Sequence, residues 1–330
     1  MKRRLMACVL LLTLFFTGCQ EQIKVNENIV TKEIFAMDTM MQLTLYGEQA
    51  GNAMNEAAQL IHRYDTMFSV TNANSDVLKL NAASGAAVTV SEETYELVQK
   101  SISLAQETEG LFDISIYPLV KAWGFTTDSS QVPSAEVRAE ALKKVDYTKI
   151  QLLPENQIQL EKDMQIDLGA VAKGYLSHKL MELFKENHVK AALVSLGGNV
   201  QTYGKKEDGS SFRVGITNPA DGSSIYGIIN VENKAVVTSG IYQRNFTENG
   251  TMYHHIMDKR TGMPAENTLA SVTVIAEDGA RADALATALY VMGEEKAKEY
   301  QKQHAEIDVI LIRKDGSSWQ SEGVDMNKNQ

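Results

Sequence analysis

The sequence predicts an α+β fold, one large domain of mixed and antiparallel sheets with flanking helices. Amphipathic helical patterns concentrate in the first half of the chain and strand-like runs in the second, with no regular βαβ alternation joining them. A length of 330 residues with 44% hydrophobic side chains supports a sizeable core and argues against disorder. No polar linker interrupts the region after the leader, so residues 32–330 are expected to form one domain.

The amino terminus reads as a processing signal. Lys2, Arg3 and Arg4 precede an apolar run from Leu5 to Phe16, and Thr17-Gly18-Cys19 follows. The run is shorter than the roughly 20 residues a bilayer crossing takes, so residues 1–18 are expected to be a cleaved leader. Small residues before a cysteine resemble the lipobox of bacterial lipoproteins, although Phe16 stands where Leu is usual. That likeness implies a diacylated Cys19 holding the mature chain on the extracytoplasmic face of a membrane. An ordinary secretory leader is the alternative. Cys8 leaves with the leader, so no internal disulfide is expected. Residues 19–31 are expected to be a polar tether.

The elements follow in order. "EIFAMDTMMQLTLYG" alternates and predicts a strand pair or bent strand; Glu48 to Phe68 predicts an amphipathic helix. Ser91 caps a second helix with Glu92 and Glu93 in its first turn, and Gly110 stops it. Pro133-Ser134 opens a third helix ending near Val145. Short strands are expected around Gln157 to Glu161. "IDLGAVAKGYLSHKL" predicts a helix from about Gly169 to Asn187. "AALVSLGGN" then reads as a buried strand closed by two glycines. "FRVGI", "SIYGIIN", "KAVVTSG", "MYHHIMD", "ASVTVIA" and "DVILIRK" are further strand candidates, with helices at Asp278 to Tyr290 and Glu294 to His304.

Four stretches carry candidate chemistry. The junction at Asp167 opens a helix whose first N–H groups lack intrahelical partners, a place that accepts phosphate, with Gly169 and Gly174 allowing close approach and Lys173 adding a charge. Asp167 fits a plain helix cap equally well. In "ARADALATALYVMG", Asp283 and Thr287 lie one turn apart on one face, a hard oxygen pair of the kind Mg²⁺ accepts. A first-turn acid and a threonine bonded back to its own helix would explain the same pattern. His254 and His255 are adjacent in a strand-like run and face opposite sides, so at most one enters a given site, as a general base or as a structural residue. The glycines of "VSLGGN" and "VTSG" uncover backbone donors suited to a nucleotide or flat ring, and equally suit tight turns.

Taken in order, "MDTMMQLTLYG", "GLFDISIYPLVKAWGF", "IDLGAVAKGY", "VSLGGNV", "VTSG", "HHIMDKRTGMP" and "ADALATALYVMG" resemble the ApbE-type FAD:protein FMN transferases, from about Phe35 to Met292. The resemblance implies an ApbE-like fold and cleavage of FAD at its pyrophosphate, with Mg²⁺ required. The FMN half would move to a Thr or Ser hydroxyl of a target protein, with AMP released. It implies Mg²⁺ at the Ala170 carbonyl and the Asp283 and Thr287 side chains. FAD contacts are implied at Met37, Leu111, Phe112, Asp113, Asp167, Lys173 and Ile256, with His255 activating the acceptor hydroxyl. The acceptor implied is an extracytoplasmic redox protein with a Thr/Ser flavinylation motif. Asp38 departs from the family's usual Gly, and Lys259 from its usual Pro. Position 173 varies in the family between Lys and acidic residues.

Two other functions share parts of the pattern: a metal-dependent FAD pyrophosphatase, with water as acceptor, and a substrate-binding lipoprotein. A net charge of -10 argues against nucleic acid as a partner. It also means that an anionic ligand needs local lysines, a helix end or a metal ion.

Overall fold

The computed structural model describes residues 24–26, 29–127 and 129–328. Residues 1–18, expected to be a leader, and Cys19 lie outside the described residues. Among the described residues the main sheet has nine strands, here β1 (Lys24–Asn26), β2 (Ile29–Ala36), β3 (Thr39–Tyr46), β4 (Ala191–Leu196), β5 (Asn199–Tyr203), β6 (Ala235–Gly240), β7 (Leu269–Ala276), β8 (Asp308–Arg313) and β9 (Ser318–Gln320). They lie side by side in chain order, and each pairing is antiparallel. The sheet begins earlier than expected: Lys24 to Asn26 pairs with Ile29 to Thr31, inside the segment assigned to the tether.

The expected strand pair is the β2–β3 hairpin. Its two-residue turn, Met37-Asp38, has φ of 48° and 57°, the left-handed region that a tight hairpin turn requires. Asp65 supports it by accepting the Met37 N–H at 2.8 Å.

The helices are α1 (Ala50–Phe68), α2 (Asp76–Ala82), α3 (Glu92–Glu107), α4 (Tyr117–Ala122), α5 (Ala135–Leu142), α6 (Ala172–Glu186), α7 (Gly279–Met292) and α8 (Glu294–Gln303). Ser91 caps α3 and Ser134 caps α5, each by accepting an N–H of the first turn. The seven-residue α2, capped by Ser75, was not expected. The "MYHHIMD" run is interrupted at His255-Ile256, leaving strands Thr251–His254 and Met257–Asp258.

α7 is buried almost all round, as its alanine-rich sequence allows, and packs on β6 and β7. α6 crosses it at a point where both helices carry glycine. A Cβ added to Gly174 would stand 2.1 Å from the Gly279 carbonyl oxygen, so no larger residue fits that crossing. On the sheet's other side, strands Phe212–Thr217, Ile225–Val231 and Met326–Lys328 form a small antiparallel sheet whose Val214, Ile216 and Ile229 pack on Val236, Ile275 and Ile310.

Candidate active site

The site gathers where one end of the main sheet meets the start of α6. Segment 165–168 is held extended by Asn81, whose amide donates to the Ile166 carbonyl at 2.9 Å and accepts its N–H at 2.7 Å. Asp167 N–H donates to the Ile114 carbonyl at 2.8 Å, and its carboxylate accepts the Gly169 N–H at 2.8 Å. The helix then starts at Ala172, three residues later than expected. Gly174 N–H, one of the first-turn donors that have no intrahelical acceptor, donates across the crossing to Asp283 Oδ2 at 2.9 Å. Ala170 lies in the turn that leads into this helix.

Asp283 is 6% exposed. Burial pushes its carboxyl up from the usual range, opposed by the Lys173 charge and the Gly174 N–H. Asn199, 1% exposed, lies close enough to favour the charged form, yet neither atom of its amide has a hydrogen-bond partner within ordinary limits. Thr287 does not bond back to its own helix; its hydroxyl pairs with that of Ser239 at 3.2 Å. A buried carboxylate, the unpartnered amide of Asn199 and a hydroxyl one turn along α7 form a hard set, whose chemistry fits Mg²⁺ carrying most of its shell as phosphate and water. Among the described residues no group of three or more His, Cys, Asp or Glu is arranged to hold a metal, so this set has one carboxylate only.

Lys173 connects the parts. Its charge acts on Asp167, Asp283 and His255, so all three lie within electrostatic reach of one ammonium. Asp167 keeps some surface, yet protein crowds its carboxylate and raises its pKa, with the Gly169 N–H, Arg244 and Lys173 opposing. His255 is set by Arg244: the Arg244 carbonyl lies 3.1 Å from the His255 N–H and 3.2 Å from Nδ1. A carbonyl only accepts, so Nδ1 carries the proton and Nε2 keeps a free lone pair. Burial lowers the His255 pKa to about 4, the Arg244 hydrogen bond opposing and the Arg244, His254 and Lys173 charges adding. His254 faces the other way, 5% exposed, with Nε2 donating to the Ala265 carbonyl at 3.2 Å and its ring edge-on to Tyr290. It is a core residue.

The remaining FAD candidates divide. Met37 is half-buried in its turn. Leu111 is half-buried between two core clusters, whereas Phe112 and Ile256 are 2% and 3% exposed. The Asp113 carboxylate is committed to Ser115, Tyr147 and Lys259. Phe112, Asp113 and Ile256 therefore present little free side-chain surface to a ligand. The sequence reading missed Asn81, Asn199, Ser239 and Arg244. Of these, Asn199 and Ser239 sit inside the glycine motifs it singled out.

Comparison with known proteins follows the same geometry. Residues 37–311 match the ApbE family. A FAD:protein FMN transferase of Klebsiella pneumoniae is 34% identical over 84% of this chain and 87% of its own length, and one of Treponema pallidum 32% identical over 82% and 80%. An ApbE protein from Thermotoga maritima superposes with a TM-score of 0.84 at 31% identity, covering 89% of this chain and 97% of that one. The flavin transferase ApbE from Vibrio cholerae gives 0.80 at 26%, covering 91% and 98%.

Proposed function

This chain belongs to the ApbE family, and from that premise we propose that it is a FAD:protein FMN transferase acting on a Thr or Ser hydroxyl of a target protein. The observation that supports the reading is the Gly174 amide on Asp283, which ties the buried Asp283 carboxylate to the start of α6, two residues after Ala170. The Asp283 carboxylate, the Ala170 carbonyl and the Thr287 hydroxyl would hold Mg²⁺, which when bound neutralises charge on the pyrophosphate.

The chain's own groups do the rest. Lys173 and the open N-terminus of α6 bind and orient the diphosphate. His255 Nε2 takes the proton of the acceptor hydroxyl as its oxygen bonds to the FMN-side phosphorus. The P–O bond to the bridging oxygen breaks, and AMP leaves with that oxygen and its electron pair. The proton passes from His255 to solvent. Phosphoryl transfer of this kind depends on positioning and charge more than on covalent help from the protein.

A diacylated Cys19 would place the enzyme on the outer face of a bacterial membrane, beside extracytoplasmic redox subunits. Among the described residues no helix is long and apolar enough to cross a membrane.

The test incubates the chain with FAD, Mg²⁺ and a carrier protein bearing a grafted Asp-Gly-x-Thr-type segment. A covalent mass increment of one FMN is the expected product. AMP release without any adduct would assign the chemistry to water as acceptor.

A further inference from the structure

Asp113 and Lys259 form an ion pair at 2.7 Å with side chains 2% and 23% exposed. The carboxylate is fully engaged: Oδ1 accepts the Ser115 N–H at 2.9 Å and hydroxyl at 2.6 Å, and Oδ2 also accepts the Tyr147 N–H at 3.3 Å. The ammonium fills space that Gly110 leaves, since a Cβ there would stand 2.5 Å from Nζ, and it lies 5.1 Å from the Tyr147 ring centre.

Each partner holds one half of the site. The loop that bears Asp113 continues to Ile114, whose carbonyl accepts the Asp167 N–H at 2.8 Å. Lys259 sits in the turn after strand Met257–Asp258, four residues from His255. That turn is stiff: the Asp258 carbonyl accepts the Thr261 and Gly262 N–H groups, and Trp123 Nε1–H donates to the Gly262 carbonyl at 3.0 Å. Closer to the histidine, the Ile256 carbonyl accepts the Ala265 N–H at 2.9 Å.

We propose that the Asp113–Lys259 pair positions His255 relative to the Asp167–Lys173 junction, acting through backbone and without touching FAD. The inference rests on the transferase reading. It makes Lys259 a positioning residue and gives the Asp113 carboxylate a role other than ligand contact. A misplacement of about 1 Å between reacting groups costs up to about 100-fold in rate, whereas binding of a substrate held elsewhere changes little.

The experiment measures kcat and KM for FAD in transfer to the same carrier protein, comparing the wild-type chain with Lys259→Met and with Asp113→Asn, and records Tm for each. A folded variant is expected to lose about 10- to 100-fold in kcat with KM for FAD within about twofold of wild type. The inference is overturned by kcat within twofold of wild type, by kcat and KM worsening in proportion, or by loss of fold in both variants. A wild-type chain that forms no adduct sinks the functional reading itself, whereas an active wild type matched by Lys259→Met sinks this inference alone.

Discussion

Gly174 and Asp283, 109 residues apart, are joined by an amide-to-carboxylate hydrogen bond of 2.9 Å across the α6–α7 crossing. The bond satisfies a first-turn amide of α6 with a side chain of α7. Structure and candidate chemistry therefore depend on the same carboxylate, and isosteric substitution separates them. Asp283→Asn keeps an acceptor for the Gly174 N–H, so it should stay folded while transfer falls by more than about 100-fold, as expected for loss of a metal-site carboxylate. Measured transfer near the wild-type rate would refute the metal assignment.

Gly174→Ala tests the crossing itself. The new Cβ would meet the Gly279 carbonyl at 2.1 Å, so the helices must part. A destabilisation of about 3 kcal/mol is expected, read from denaturant midpoints. An unchanged midpoint would mean that the crossing adapts at little cost.

Thr287→Val removes a hydroxyl whose partner in the structure is Ser239. The Mg²⁺ concentration for half-maximal transfer should rise at least about tenfold, with little change in Tm. A Mg²⁺ titration that superposes on wild type would take Thr287 out of the ligand set.

His255→Ala is expected to lower kcat by about 10² to 10⁴-fold with the fold intact. Because burial holds the His255 pKa down to about 4, the imidazole is neutral through the physiological range. The acid limb of kcat/KM should accordingly lie near pH 4; a limb at the ordinary imidazole value would mean that solvent reaching the half-exposed ring outweighs the protein packed around it.

His254 carries a separate consequence for stability. Its folded pKa, lowered to about 4 chiefly by burial, lies below the unfolded value of 6.5, so the unfolded chain binds the extra proton between these limits. Stability is present above pH 6.5 and falls as pH drops towards 4, by about 3 kcal/mol for a shift of this size. In pH-dependent urea unfolding, His254→Phe should flatten that part of the curve, and an unaltered slope would assign the effect to other groups.

The parts of this fold legible in sequence are those with local causes. Ser91 and Ser134 cap their own helices, and the β2–β3 hairpin follows from alternation around Met37-Asp38. The order of the family's motifs likewise pointed to the candidate site. What stayed hidden is long-range. A first-turn amide of α6 is satisfied by a carboxylate in α7, and the Asn81 clip reaches 85 residues along the chain. Lys259 looks like one more charge in "DKRTG" until the fold sets it beside Asp113. The split at His255-Ile256 belongs to the same class, because Arg244 and Ala265 draw that backbone away from an even strand.

Strand order following chain order has an outcome during synthesis. β3 emerges from the ribosome with Met41, Leu43 and Leu45 along an edge whose neighbour, β4, arrives only after residues 47–190 have been made. Until then the nascent hairpin exposes unpaired backbone to other chains, the hazard that edge strands carry. Aggregation of nascent chains should therefore be most sensitive to substitutions on β3, and a holding factor that shields this hairpin would benefit yield more than one acting on the carboxyl-terminal strands.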